Sequence, residues 1–334
     1  MSSSTIYPPL RIYKRIQDKV EAFEEHKDEY QNGSISELIA LQEAIFDYNV
    51  APRMLAEQGI SINSRRGREL KKRLFHEVYD MTIVSLIMAE WAKSKQAYLF
   101  SKEFYEILSD MDEFQIDMSV FKYLPFPTFY LEIENHKNVE GVLVKFKEET
   151  SELAYCIVYK MHDDATAYRI NTTFLDTEDE ESFKKFFETQ ISLVEDLPEG
   201  CEQEISDLKE LTVFILQACM YLCANNADII ENEFQKSIYK PTSRIRNRFS
   251  EVRKWDVGMR VVKEYKHANE QKTREEDEDK KLPLKERQRP RQHWRRAHWH
   301  TYWVGEGRAK KEIKFIAPIL VNDIGDELPI TKHE

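Results

Sequence analysis

Hydrophobic spacing changes period between Tyr123 and Pro127, and that change limits the possible folds of this chain more than any other feature. Upstream, apolar residues recur three or four apart, as on one face of a helix. Ile12, Ile16, Val20 and Phe23 predict an amphipathic helix over 10–30, which ends at the Asn32-Gly33 turn signal. Ile35, Leu38, Leu41, Ile45 and Tyr48 predict a second, with Ser34 or Ser36 as its cap. A long stretch opens at Arg65, Arg66 and Arg68 and runs through Trp91. Its Met81–Ala92 centre is apolar on more than one face, so it should lie buried between other helices. The basic cluster at 65–73 reads as a solvated helix start, with a nucleic-acid contact as the alternative. A shorter helix is expected over 101–111.

Downstream, the spacing is two. Pro125-Phe126-Pro127 breaks the helix, then Phe129, Leu131 and Ile133 alternate with other residues, as do Val142, Val144 and Phe146. Tyr155, Ile157 and Tyr159 mark a third run, and Ala165–Ile170 a fourth. Consecutive strands with short links predict an antiparallel meander. The acidic link at 176–181 suits the N-terminus of a helix through Phe183, Phe186 and Phe187. Ile205 to Cys223 is the most apolar helical run and should pack on the sheet, with Asn225-Asn226-Ala227-Asp228 closing it. Trp255, Val257, Met259 and Val261 alternate as in a strand, although Val262 and Tyr265 also fit a helix. Residues 267–288 hold dense charge of both signs and little apolar surface to offset ordering entropy, which predicts a mobile loop.

The most distinctive stretch follows that loop. Arg289 to Trp303 holds three of the five tryptophans, three of the nine histidines and four arginines. As a strand, Ala297–Trp303 puts Trp299, Thr301 and Trp303 on one face and Arg296, His298, His300 and Tyr302 on the other. Gly305 and Gly307 make a turn, and Ile313, Phe315, Ala317, Ile319 and Val321 alternate as a returning strand. The hairpin so formed should place Trp299 and Trp303 against the sheet or the core helix. The fold class is α+β: a helical region over 1–115, then an α+β domain over 116–334 made of an antiparallel sheet, a long core helix and the C-terminal β-hairpin.

Charge is distributed unevenly. Pro241–Phe315 carries 22 Lys and Arg against 12 Asp and Glu, a balance of +10, so the remainder carries −21 of the net −11. A basic C-terminal segment on an acidic body suits contact with nucleic acid, a ribosome or an acidic protein. Met1–Thr5 lacks the basic-then-apolar layout of a secretory signal, and no apolar run is long enough to span a bilayer, so a cytoplasmic protein is expected. Cys156, Cys201, Cys219 and Cys223 form no disulfide framework. Cys219 and Cys223 share a helix face, as two buried hydrophobes or, with ligands from elsewhere, half a metal site. His298 and His300 point to one side and could hold an ion, but no third ligand is evident. They could also act as general acid and base on RNA held by Arg295 and Arg296. No Gly-rich nucleotide loop, nucleophile elbow or HExxH motif is present, so the expectation is a binding protein without catalytic residues, metal or cofactor. Trp, Tyr and Arg together suit a protein interface and equally the stacking of single-stranded RNA.

His293, Arg295, Arg296, Ala297, His298, Trp299, His300, Tyr302, Trp303 and Gly305, followed by Pro318, Val321 and Asn322, resemble the C-terminal signature of a family that includes a type V-A anti-CRISPR protein. Weaker similarity covers Leu124-Pro125, Tyr221-Leu222-Cys223, Asp228-Ile229 and Trp255–Arg260, so that it extends over residues 120–322. Arg291-Gln292-His293 departs from the family's usual Arg-Pro-His. The resemblance implies a protein of a phage or mobile element that evades host defence by lowering the level of a type V-A Cas nuclease. It also implies recognition of the nuclease's nascent N-terminal polypeptide, with loss of its mRNA and possible contact with the ribosome or the message. His293, Arg295, Arg296, His298, Trp299, His300, Tyr302 and Trp303 are the expected binding residues for peptide or RNA.

Overall fold

The computed structural model describes Pro9, Ile12 and residues 51–111, 116–137, 139–159, 170–176, 202–232, 252–279 and 293–321. The helices expected over 10–30 and 35–48, the run from Ala165, the Phe183–Phe187 helix, the charged segment past Asp279 and the tail from Asn322 lie outside the described residues.

The protein is α+β, with a mixed sheet covered on both faces. After the short helix α1 (Ala51–Glu57) comes α2 (Arg65–Ser94), which starts where Ser64 Oγ accepts the Gly67 N–H at 2.9 Å. It stops at Lys95, whose left-handed backbone (φ 48°) returns its N–H to the Trp91 carbonyl at 2.7 Å. Strand β1 (Gln96–Phe100) begins on the next residue, inside the region expected to be wholly helical. Buried on both faces, it shows no alternation to distinguish it from a helix end. Helix α3 (Lys102–Ser109) follows, capped by Ser101. A 3-10 turn at Met118–Tyr123 leads into β2 (Thr128–Ile133), β3 (Val139–Lys147), β4 (Glu152–Tyr159) and β5 (Ile170–Asp176).

These four strands form an antiparallel meander, of which β2, β3 and β4 fall on the expected runs while β5 begins at Ile170, where the expected fourth run ended, and the sheet continues beyond it. β1 lies parallel to β2 and also to β7 (Arg253–Val257), and β6 (Ile229–Glu231) closes the edge in the order β5-β4-β3-β2-β1-β7-β6. The ambiguous stretch at 255–265 divides at Gly258. The strand ends at Val257, and helix α5 runs from Met259 to Asp279. Residues 267–279 are therefore helical where a loop was expected. Val261 and Val262 are buried at the start of this helix, and its charged remainder is built largely of strong helix formers that extend an anchored turn.

One face of the sheet is covered by α2 through Val84, Ile87, Met88 and Trp91, a stripe at helical spacing packed near Ala97, Tyr130, Leu143, Ala154, Cys156 and Val158. The other face is covered by α3 and by α4 (Glu202–Cys223), whose residues Leu211–Leu222 are buried all round. Thus α2 packs on the sheet, and the strands are apolar on both sides. Among the described residues, no helix is long and apolar enough to cross a membrane.

Gly141 sits at the irregularity in the β3–β4 register, where Tyr130 Oη donates to the Glu140 carbonyl at 2.9 Å. A Cβ at Gly141 would stand 2.2 Å from Tyr130 Oη. Gly141→Ala is expected to destabilise the protein by about 2–3 kcal/mol through overpacking, read by urea unfolding; an unchanged midpoint would show that β3 moves aside at little cost.

Candidate functional site

The C-terminal signature forms a long hairpin with one break. β8 (His293–Arg295) pairs antiparallel with β11 (Ile319–Val321), and β9 (His298–Val304) with β10 (Lys310–Ile316). The two ladders part at Arg296-Ala297 opposite Ala317-Pro318, where proline has no N–H to donate. The turn at the far end uses Gly305 and Gly307, both with positive φ.

The register places Trp299 beside Phe315 and Thr301 beside Ile313 on the inner face. Phe315 and Ile313 are buried, and Trp299 packs against them half-buried. The Trp299 indole N–H donates to Gln217 Oε1 at 2.6 Å, a fully buried amide on α4. Ring contacts run inward from Trp299 to Phe315 (5.3 Å), Tyr221 (5.1 Å), Phe104 (4.8 Å) and Phe100 (5.9 Å). Trp294, on the inner side of β8, stacks on Tyr265 of α5 at 4.8 Å and donates to Asn269 Oδ1 at 3.1 Å.

The end of α4 holds β10 by its backbone. Asn226 Nδ2 donates to the Phe315 carbonyl at 2.8 Å, and its Oδ1 accepts the Phe315 N–H at 2.9 Å. The Asn225 N–H donates to the Ile313 carbonyl at 3.1 Å. Two ion pairs add to this hold: Arg296 with Asp110 at 3.2 Å, and Lys311 with Asp117. Burial pushes the Asp117 carboxyl up, but the Lys311 ammonium and Ser119 outweigh it and hold the group below its ordinary 3.8.

The outer face of the β9–β10 ladder carries His298, His300 and Tyr302 on β9 and Lys310 and Lys314 on β10, while His293 and Arg295 are exposed on β8, on the side opposite Trp294. His300 and Tyr302 rings lie 4.3 Å apart, and Lys314 Nζ stands 4.9 Å from the centre of the Tyr302 ring. The carboxylate on this face, Glu312, is engaged by Lys310 at 2.9 Å and by Asn225. The result is a cationic and aromatic surface on a ribbon anchored through β10 to the end of α4.

The chain matches the AcrVA2-like model, described as the anti-CRISPR type V subtype A2 family, over residues 98–323. It belongs to that family. No curated protein matches the chain. In this AcrVA2-like protein the matched span covers the sheet from β1, helices α3 to α5 and the entire hairpin.

Three of the four upstream stretches of weaker resemblance, at 221–223, 228–229 and 255–260, meet at one junction. Tyr221 Oη accepts the Asp228 N–H at 3.0 Å, Asp228 Oδ2 accepts the Arg260 N–H at 2.5 Å, and the Asp228 carbonyl accepts the Gly258 N–H at 2.8 Å. A carboxylate thus faces the N-terminus of α5. Burial, with Asp228 nearby, pushes the Tyr221 phenol up to about 12.

Of the expected binding residues, His298, His300 and Tyr302 share the outer face of the β9–β10 ribbon, and His293 and Arg295 are exposed on β8, beyond the break in the ladder. Three are placed elsewhere. Arg296 turns to Asp110, and Trp299 anchors the core. Trp303, expected against the sheet or core helix, is 57% exposed, although Lys311 opposite it is paired with Asp117. Lys311 stands 5.9 Å from the Trp303 ring. Sequence reasoning missed Lys310 and Lys314, although the inward alternation of Ile313 and Phe315 already puts them outside. It also missed Gln217, signalled by its place as a lone amide in the apolar run 213–222. Cys219 and Cys223 are free thiols raised by burial, and no group of three metal-ligating side chains occurs among the described residues.

Trp299→Phe keeps an aromatic ring but removes the indole N–H that Gln217 Oε1 accepts in the core, and is expected to cost about 1–3 kcal/mol by denaturant unfolding. An additional Gln217→Leu substitution should recover most of that loss. The depressed Asp117 contributes stability that is present above pH 3.8 and lost as pH falls below it. Titration of the Asp117 carboxyl by NMR should show Lys311→Met raising its midpoint; an unmoved midpoint would remove Lys311 as the cause.

Proposed function

We propose that this anti-CRISPR family member suppresses production of a type V-A Cas nuclease by binding the nuclease's nascent N-terminal polypeptide, which leads to loss of its mRNA. Family membership supplies the target system. The observation that supports the docking surface is the outer face of the β9–β10 ribbon, with His298, His300, Tyr302 and Lys314 on strands held by the end of α4, and with His293 and Arg295 exposed on the adjoining β8. Such a surface suits a short peptide for two reasons. Its aromatic and guanidinium groups combine contact area with directed polar contacts, and its anchoring to α4 lowers the entropy lost on binding. In this reading the protein acts by binding and not as an enzyme, inside the host cell, close to the ribosome and the message.

The second reading is an RNA-binding protein or ribonuclease using the same face. It is favoured by the Lys314–Tyr302 contact beside His300, since aromatic rings stack bases and cations hold phosphate. The two readings respond differently to salt.

Calorimetry of the purified protein with a synthetic N-terminal peptide of the nuclease should give selective binding on the order of micromolar or tighter, with none for a scrambled peptide. The double substitution Arg295→Ala, Tyr302→Ala should weaken it about tenfold or more. Binding to single-stranded RNA alone, falling steeply with salt, would sink the peptide reading and support the second.

A further inference from the structure

The backbone of β9 has a direction that the Asn225–Asn226 clamp reveals. The Ile313 carbonyl and both backbone groups of Phe315 are engaged by residues outside the ribbon, so they point away from β9. In an antiparallel pair the residue opposite such a position also points outward. Ile313 faces Thr301 and Phe315 faces Trp299 in the register, and the alternation continues to Trp303 opposite Lys311. Thr301 and Trp303 therefore present N–H and C=O to the open edge of β9. The ladder to β10 uses His298, His300, Tyr302 and Val304.

Among the described residues nothing pairs with this edge: β9 has one strand neighbour, β10. His300, Thr301, Tyr302 and Trp303 are all exposed, so both faces of the strand are open as well as its side. Folded proteins normally blunt such an edge with lysine, proline, a bulge or a covering loop. His298–Val304 reads His-Trp-His-Thr-Tyr-Trp-Val, with no proline or lysine, and its register is continuous. An edge left so open is a template for another strand.

We propose that the edge of β9 at Thr301–Trp303 adds an extended polypeptide segment as a third strand of the ribbon. This rests on the peptide reading above and specifies its mode. The occupant must be polypeptide, because alternating N–H and C=O groups at strand spacing are matched by another backbone and not by bases or phosphates. Side chains of the added strand that fall beside His300 and Tyr302 lie on the cationic face with Lys314, which selects acidic or polar residues there. Those on the opposite face lie beside Thr301 and Trp303, where the exposed indole selects apolar ones. The preferred segment alternates acidic or polar with apolar residues.

The test uses the whole chain and the N-terminal peptide of the nuclease. Thr301→Pro removes one outward N–H and leaves the β9–β10 ladder intact, so the melting temperature should stay near that of the parent while peptide affinity falls about tenfold or more. Thr301→Ala should bind within about threefold of the parent. On the unaltered protein, peptides N-methylated at successive amides should lose affinity at every second position. Peptide binding that survives Thr301→Pro and shows no period of two would overturn strand addition and leave the peptide reading standing. Absence of any peptide binding to the parent would overturn both. A parent that is dimeric, becomes monomeric on Thr301→Pro, and binds peptide equally well in both forms would assign the edge to a second copy and overturn the peptide as occupant.

Discussion

The hydrogen bond from Trp299 to the buried Gln217 amide is the point on which the placement of the hairpin depends. A glutamine amide in the middle of a buried helix must find a partner, and a tryptophan needs one for its single donor. The bond between them meets both needs and ties β9 to the middle of α4. Phe315 then lies against Tyr221 and Phe104, so the same contact that satisfies two polar groups also aligns a run of rings reaching β1. Polar satisfaction fixes the register, and apolar burial supplies most of the attraction.

The end of α4 does two jobs within four residues. Asn225 and Asn226 engage the backbone of β10 as an edge strand would, and Asp228 closes the first turn of α5. Gly258 belongs to the same junction. Its φ of +71° turns the chain from strand to helix, and an added Cβ would meet the Phe104 ring at 2.4 Å. Strand, helix and hairpin therefore share one anchoring loop. The direction of the free groups on β9 follows from which carbonyls that loop occupies on β10.

Much of this fold could be read from the sequence where one face of an element meets water. The β9–β10 hairpin shows its period this way, whereas β2 to β4 and α4, covered on all sides, were legible as apolar runs bounded by turn residues. β1 was not, because five residues covered on both sides carry no alternation and follow a helix without a proline or glycine between them. α5 was missed for the opposite reason. Its charged half gives no burial signal, and the contacts that start it, such as Tyr265 on Trp294, span almost thirty residues of chain. At the site, strand periodicity sorted His298, His300 and Tyr302 correctly from Trp299. It could not say that Trp299 would meet Gln217 while Trp303 stayed exposed, nor that Arg296 would be drawn to Asp110. Those outcomes depend on elements distant in sequence.

The family match begins at residue 98, within β1, while the helix that covers the second face of the sheet ends at Ser94. Tyr130, Leu143, Ala154, Cys156 and Val158 belong to the matched part, yet they are sheltered by Val84, Ile87, Met88 and Trp91, which do not. A sheet with that face uncovered would be insoluble baggage for any carrier. The recognisable portion of the chain is thus not a self-sufficient module, and it cannot be shuffled between genes without a cover fitted to those five side chains.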